Sequence, residues 1–502
     1  MIETQKALAF VRNSLQEAEQ YQHACHVLNY DLETICPPKG MEEQGEVNAF
    51  LSNQAFKIVK SSRFIKEEEY LYEHRNELEP LDQLMAQALH RDYLRSKNIT
   101  PAFNKKISLI FNKSFVDWVN AKQASDYSLF APSLKKVRDV DLKIISLRDQ
   151  KYALPYDALV DEYERGMTCA DLDKFFNACK ETLIPLLKKI TASDKKIRTD
   201  FLSRKVPLER QKAFSDYLLK LIGFDFTRGA ITTTEHPFTD GLGRNDARVT
   251  THYYENNFIS NLFTVIHEGG HALFEQNQPG EDYDHFIHDN ISYGMHESIS
   301  RFYENRLARS RSFISFLYPK IQEFFGDIFA DVSEEEMYEG INAVEPSLIR
   351  TEADELTYTF HIIIRYEMEK LIINEKAPIN KLPKLWNQKY EEYLGIKPKT
   401  AKEGILQDVH WSSGFGYFTT YAIGNAYNAM YLNKMKEELD VEKLLSIGNF
   451  APIDSWMKEH VFATANRLPP KEWIKGITGR EFTPDDFLTY LVDKYSALYN
   501  LK

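Results

Sequence analysis

Cysteine is scarce in this 502-residue chain: Cys25, Cys36, Cys169 and Cys179 form no C-x-x-C pair. They are too few for a disulfide framework and fit a reducing, cytoplasmic setting. Surplus positive charge is absent as well. The formal net charge of -12 argues against nucleic acid as the main partner, because phosphate binding needs a basic surface. No Gly/Ser-rich or Pro-rich linker divides the chain and no internal repeat is present, so 1–502 reads as a single domain. Within it, residues 1–220 read as a helical N-terminal part or lid, and 221–502 as a core that holds the motifs described below. The first residues, from Met1 to Lys6, are charged and lack a signal-type apolar core, so secretion is not expected. Residues 411–433 carry no charge and are long enough to cross a bilayer. Ser412, Thr419, Asn425 and Asn428 suit lipid poorly, however, and the segment reads as protein interior with no membrane partner.

What is plentiful is apolar and aromatic side chain, 43% and 13% of residues, enough for a large core. The first 220 residues read as successive helices, with Thr100-Pro101 as an N-cap and first turn and with a capping box at Thr168–Asp171. Ser333 with Glu336 marks another. A long helix is expected over Pro346–Asn374, with Arg350, Asp354, Thr357, His361 and Arg365 forming a solvated polar stripe. Two short β-branched runs, Ile231–Thr234 and Arg248–Thr251, predict a small β-sheet, with Gly241 and Gly243 between them. The fold class is thus mainly α. An exposed edge of such a sheet can hold an extended peptide through main-chain hydrogen bonds, whereas a buried hairpin would only pack under the next helix.

That next helix carries His267-Glu268-Gly269-Gly270-His271. The string matches H-E-x-x-H, which places two imidazoles on one helical face for zinc, with a glutamate beside them. Two glycines inside a helix cost about 1 kcal/mol each relative to alanine, so something needs room there, either a substrate or a closely packed neighbour. A hydrolytic zinc site wants a third protein ligand and one open position. Glu297, 26 positions beyond His271, is the preferred candidate, with His285, His288, His296 and Glu304 as competitors.

Several further strings share one order in the chain. They are His236-Pro-Phe238, Asp246-Ala-Arg248-Val-Thr250, the zinc pair, His296-Glu-Ser298, Ile349-Arg350-Thr-Glu-Ala353-Asp354 and Gly404-Ile-Leu-Gln407-Asp408-Val-His410-Trp411. Together, over about 175 residues, they resemble the motif set of the carboxypeptidase Taq family of zinc metallocarboxypeptidases. Tyr30–Thr34 and Tyr156–Tyr163 also look like that family, while Ile299 stands where members often carry Gln. The resemblance implies a large helical, saddle-like body with a central groove, usually a homodimer. It implies release of C-terminal residues one at a time from peptides with a free C-terminus. Specificity would be broad, with C-terminal proline poorly accepted. The resemblance also makes Glu297 the third zinc ligand.

Chemistry then assigns roles. Zn2+, for which Co2+ can substitute, would activate water, with Glu268 as general base. A free carboxylate is best recognised by an arginine fork; the resemblance supplies Arg350 and Arg248 as candidates, each within one of its motifs, with Arg350 preferred. His410 is the favoured oxyanion donor, with Tyr417 or Tyr421 next. His236, Asp246 and Tyr421 complete the expected substrate-binding set. Two other readings are a zinc endopeptidase of the same architecture, and a helical interaction protein whose metal is structural or absent.

Overall fold

Capping signals in the sequence mark where helices begin in the computed structural model, which describes residues 2–501. Met1 and Lys502, the ends of the expected domain, lie outside the described residues. The chain opens with α1 (Ile2–Thr34), α2 (Met41–Val59), α3 (Ser62–Glu73) and α4 (Pro80–Ser96). These are followed by α5 (Pro101–Ala124), α6 (Tyr127–Leu147), α7 (Pro155–Tyr163), α8 (Cys169–Thr191) and α9 (Leu208–Leu221). Thr100 accepts a hydrogen bond from the Phe103 amide at the start of α5, and Thr168 with Asp171 forms the reciprocal capping box of α8.

Three short strands come next: β1 (Gly229–Thr233), β2 (Thr239–Gly243) and β3 (Asp246–Thr251). β3 is central, parallel to β1 and antiparallel to β2, with Ile231 opposite Val249 and Asp240 opposite Arg248. The glycines expected between strands lie instead within β2. A Cβ on Gly241 would stand 2.4 Å from the Glu275 carboxylate, so this edge strand approaches the following helix where a side chain would not fit.

Helices α10 (Phe258–Asn277), α11 (Gly280–Asp284), α12 (Tyr293–Arg301), α13 (Arg311–Phe329) and α14 (Glu334–Ile341) follow. α12 runs on into a π-helical segment, Phe302–Ala308. Ser333 and Glu336 form the capping box expected at α14. Then come α15 (Glu355–Ile373), α16 (Leu382–Leu394) and α17 (Thr419–Lys436), and the last helix is Asp485–Leu498.

The long helix expected from Pro346 starts only at Glu355. Asp354 is its N-cap and accepts from the amides of Leu356 and Thr357, so Arg350 lies outside the helix and makes no i,i+4 pair with Asp354. The polar stripe is not solvated either: Thr357, His361 and Arg365 are fully buried, and Asp408 balances Arg365 from another segment. The charge-free stretch is interior, as expected. α17 is mostly buried, and no helix among the described residues is long and apolar enough to cross a membrane. All four cysteines are free and buried.

One apolar cluster runs from Ala121 to Tyr499 and draws on both sides of residue 220. A second, smaller one joins Leu8, Val11 and Leu15 of α1 to Phe64, Leu71 and Met85, and reaches Ile287 of the later chain.

Candidate metal centre and active site

Residues four apart on α10 point the same way, which brings the imidazoles of His267 and His271 together, with ring centroids 5.0 Å apart. α12 packs across α10 and returns Glu297 to them. Glu297 Oε2 lies 3.7 Å from His267 Nε2 and 3.5 Å from His271 Nε2, and the three ligand atoms all fall within 4.8 Å of one another. Tetrahedral zinc with bonds of about 2.0–2.1 Å separates its ligands by roughly 3.3 Å, so this donor set and spacing fit a zinc-sized ion.

Other groups fix the donors. His267 Nδ1 faces Glu304 Oε2 at 2.9 Å, an arrangement that leaves Nε2 for a metal. Arg301 donates from Nε to Glu297 at 2.8 Å and from Nη1 to Glu304 at 3.0 Å, holding both carboxylates on one face. Burial opposes ionisation of Glu297, but Arg301, His267 and His271 outweigh it and hold the carboxyl well below its usual range. Burial and the neighbouring His296, stacked on His271 at 4.4 Å, push His271 down to about 3, which keeps this imidazole neutral.

Glu268, between the two histidines, is 7% exposed and borders the same cavity. Its Oε2 accepts from the Thr239 hydroxyl of β2 at 2.8 Å, and burial raises its pKa above the usual carboxylate value. The cavity measures about 1050 Å³. β2 forms one wall, Glu19, His23 and His26 of α1 another, and Tyr293, Tyr417 and Tyr421 a third. Among the described residues β2 pairs with β3 on one side alone, so it is one of the sheet's two edge strands, and it is this edge that borders the cavity.

The two glycines serve the packing of α10 rather than contact with a substrate. A Cβ on Gly269 would meet Ile222 at 2.6 Å and Leu219 at 2.8 Å, and one on Gly270 would meet the Ser300 main chain at 2.9 Å. The side chains of Leu219 and Ile222 at the end of α9, and the main chain of α12, therefore lie directly against α10, the close-neighbour alternative of the two.

The remaining expected residues are distributed unevenly. Tyr421 lines the cavity, as do Tyr417 and His288. His410 is absent from its lining and packs behind it, 4.4 Å from Phe418 and 5.5 Å from Tyr417 between ring centroids. Arg350 is buried, donating from Nε and Nη2 to Asp408 Oδ1 and from Nη1 to Tyr358, with its guanidinium 5.0 Å from the Tyr421 ring centroid. Arg248 and Asp246 pair with each other at 2.8 Å beside Tyr30 and line a separate cavity of about 380 Å³. His236 is exposed, while the adjoining Pro237 and Phe238 border the main cavity. Of the competitors for the metal, Glu304 orients His267, His296 pairs with Glu275, and His285 contacts Arg12. Arg301 and Thr239 escaped the sequence reading. Arg301 and Glu304 follow Glu297 at i+4 and i+7, one helical face, and that spacing was a usable signal.

The sequence signature described as Carboxypeptidase Taq (M32) metallopeptidase matches residues 10–495. Carboxypeptidase 1 of Bacillus subtilis strain 168 is 41% identical over 489 residues, covering 97% of each chain. Thermostable carboxypeptidase 1 of Thermus thermophilus is 35% identical over 482 residues, or 94% of each. The crystal structure of an M32 carboxypeptidase from Deinococcus radiodurans R1 superposes with a TM-score of 0.94 at 31% identity, covering 100% of both chains.

Proposed function

The chain belongs to the carboxypeptidase Taq (M32) family of metallopeptidases, and from that premise we propose that it is a zinc-dependent carboxypeptidase removing single residues from the C-termini of peptides. The observation that carries this reading is the convergence of His267, His271 and Glu297 on a cavity that Glu268 and the β2 edge also border. When bound, the metal supplies Lewis acidity that polarises the scissile carbonyl and makes water easier to deprotonate. Glu268 takes the proton from the attacking water and delivers it to the leaving amine. Its raised pKa suits a group that must both accept and give back a proton, and Thr239 keeps one carboxylate oxygen oriented. The β2 edge offers main-chain groups to an extended peptide.

The donor for the developing oxyanion comes from the group of His410, Tyr417 and Tyr421; the two tyrosines face the cavity, and His410 packs behind them. Of the two arginines, Arg350 has the better support as carboxylate clamp, since it lies against cavity-lining Tyr421. Arg248, Asp246 and His236 belong to the substrate-binding set through the resemblance alone. The resemblance likewise supplies the assignment of a homodimer, broad specificity and poor acceptance of C-terminal proline, while composition supplies that of one catalytic domain over 1–502 and a cytoplasmic location; we also assign cobalt as a substitute for zinc.

Mass spectrometry of a peptide pool incubated with the enzyme is expected to show ladders of C-terminal losses that a chelator abolishes. C-terminally amidated peptides are expected to resist. Equal cleavage of amidated and free-acid peptides would make the protein an endopeptidase. Less than about half an equivalent of metal after supplementation would favour an interaction protein with no catalytic ion.

A further inference from the structure

Behind the tyrosine wall, one buried carboxylate has no role in the chemistry above. Glu369 of α15 is 1% exposed and accepts three hydrogen bonds. Oε1 takes the indole N–H of Trp411 at 2.7 Å, and Oε2 takes the Tyr156 hydroxyl at 2.5 Å and the Gly416 amide at 2.9 Å. Trp411 and Gly416 each lie one residue inside the ends of the short segment that runs from His410 to Tyr417, so a single side chain ties down both ends of it. The residue after Gly416 is Tyr417, which lines the metal cavity.

The loop has little freedom to find another course. Gly414 has φ +136° and Gly416 φ +104°, conformations that side chains rarely adopt, and a Cβ on Gly416 would stand 2.8 Å from the Leu159 carbonyl of α7. From α6, the buried Asp141 lies against the loop, its carboxylate 3.4 Å from where a Cβ on Gly414 would stand. The Tyr417 ring meets Tyr163 at 5.3 Å, Tyr293 at 5.5 Å and Tyr421 at 5.2 Å, each edge to face. Tyr163 and Tyr156 both come from α7, so a helix of the N-terminal part helps to build the wall.

We propose that Glu369 is a positioning residue for the reaction: through the Gly416 amide and the Trp411 indole it sets where Tyr417 stands in the cavity wall. The proposal rests on the peptidase reading of that cavity. Glutamine at 369 has the same shape but one acceptor and one donor in place of two acceptors. With three donors around it, either the Trp411 indole or the Gly416 amide then faces an N–H, and the loop must shift.

The test is a double-mutant cycle on the zinc-loaded enzyme with a chromogenic or fluorogenic peptide that has a free C-terminus. Glu369→Gln is expected to lower kcat by roughly 10- to 100-fold, the scale of an ångström-sized misplacement, while zinc content stays at the wild-type level. Tyr417→Phe is expected to lower kcat too, and Glu369→Gln is expected to cost less than about 2-fold more in that background. Losses that multiply would show that Glu369 acts without Tyr417 and overturn the proposal, as would full activity of Tyr417→Phe. If Glu369→Gln does not fold, Trp411→Phe, which removes the donor to Oε1 together with part of the ring but keeps the carboxylate and the Gly416 bond, enters the same cycle with a smaller expected loss. Failure of the peptidase reading is separately visible, because wild-type protein would then release no C-terminal residue in a chelator-sensitive manner.

Discussion

At the scale of single residues, the proposed reaction depends on keeping a proton-accepting carboxylate apart from a metal-binding one, and the two carboxylates proposed for these roles are buried within one cluster. Glu297 is held ionised by Arg301 and the two histidines, whereas Glu268, with only a threonine hydroxyl on its Oε2, is raised by burial. Glu268→Gln keeps the size and hydrogen bonding of the side chain but removes its basicity. It is expected to lower kcat by roughly 100- to 10,000-fold with zinc content unchanged in metal analysis. Glu304 acts one step further out, orienting His267 through Nδ1 and sharing Arg301 with Glu297. Glu304→Ala is expected to weaken zinc binding roughly 10- to 100-fold in a competition titration, while Vmax at saturating zinc falls far less.

At the scale of elements, the site is a matter of how closely α10, α12 and α17 approach. Gly270 lets Ser300 of α12 come against α10, and Gly424 does the same for α12 and α17, since a Cβ there would stand 3.0 Å from the Gly294 carbonyl. Gly270→Ala is therefore expected to lose about 1–3 kcal/mol in denaturant unfolding and to weaken zinc binding, because the helix that must move carries Glu297. Undiminished stability and metal affinity would show that α12 has slack. The start of α12 is held by Glu164, a fully buried carboxylate that accepts from the Gly294 amide and the Tyr427 hydroxyl at 2.8 Å each. Burial pushes its pKa up to about 7. An acid raised in this way binds its proton more tightly folded than unfolded, so its contribution to stability falls as pH rises from about 4.5 to about 7. Glu164→Gln removes that dependence. Relative to wild type, the variant is expected to gain about 2 kcal/mol between pH 5 and pH 8, read as the difference between the two denaturation curves at each pH.

At the scale of the whole molecule, the main apolar cluster extends from Ala121 to Tyr499 and is built from side chains that do not bind the metal. Removing zinc is therefore expected to leave the far-ultraviolet circular dichroism unchanged, lower Tm by linkage and abolish activity, all restored on adding zinc back. Loss of helical signal would mean that the metal organises the fold. Much of this architecture was legible in the chain: helix starts at Thr100, Thr168 and Ser333, β-branched runs before α10, and an interior α17 all follow from local chemistry. The pairing of His267 and His271 was legible for the same reason, since spacing by four residues on a helix is a property of a short segment. Family resemblance added Glu297, which spacing alone left among competitors. What only the tertiary structure decided is what each group meets across the fold. It seated the two glycines against α9 and α12, and it buried the stripe of Arg365 and His361 that periodicity alone assigns to solvent. It also placed Asp408 between Arg350 and Arg365, and Glu369 under Tyr417. Helical periodicity fixes which face a residue occupies, but the partner on that face comes from tens to hundreds of residues away. Whether a polar side chain ends in water, in an ion pair or beside a metal depends on that partner.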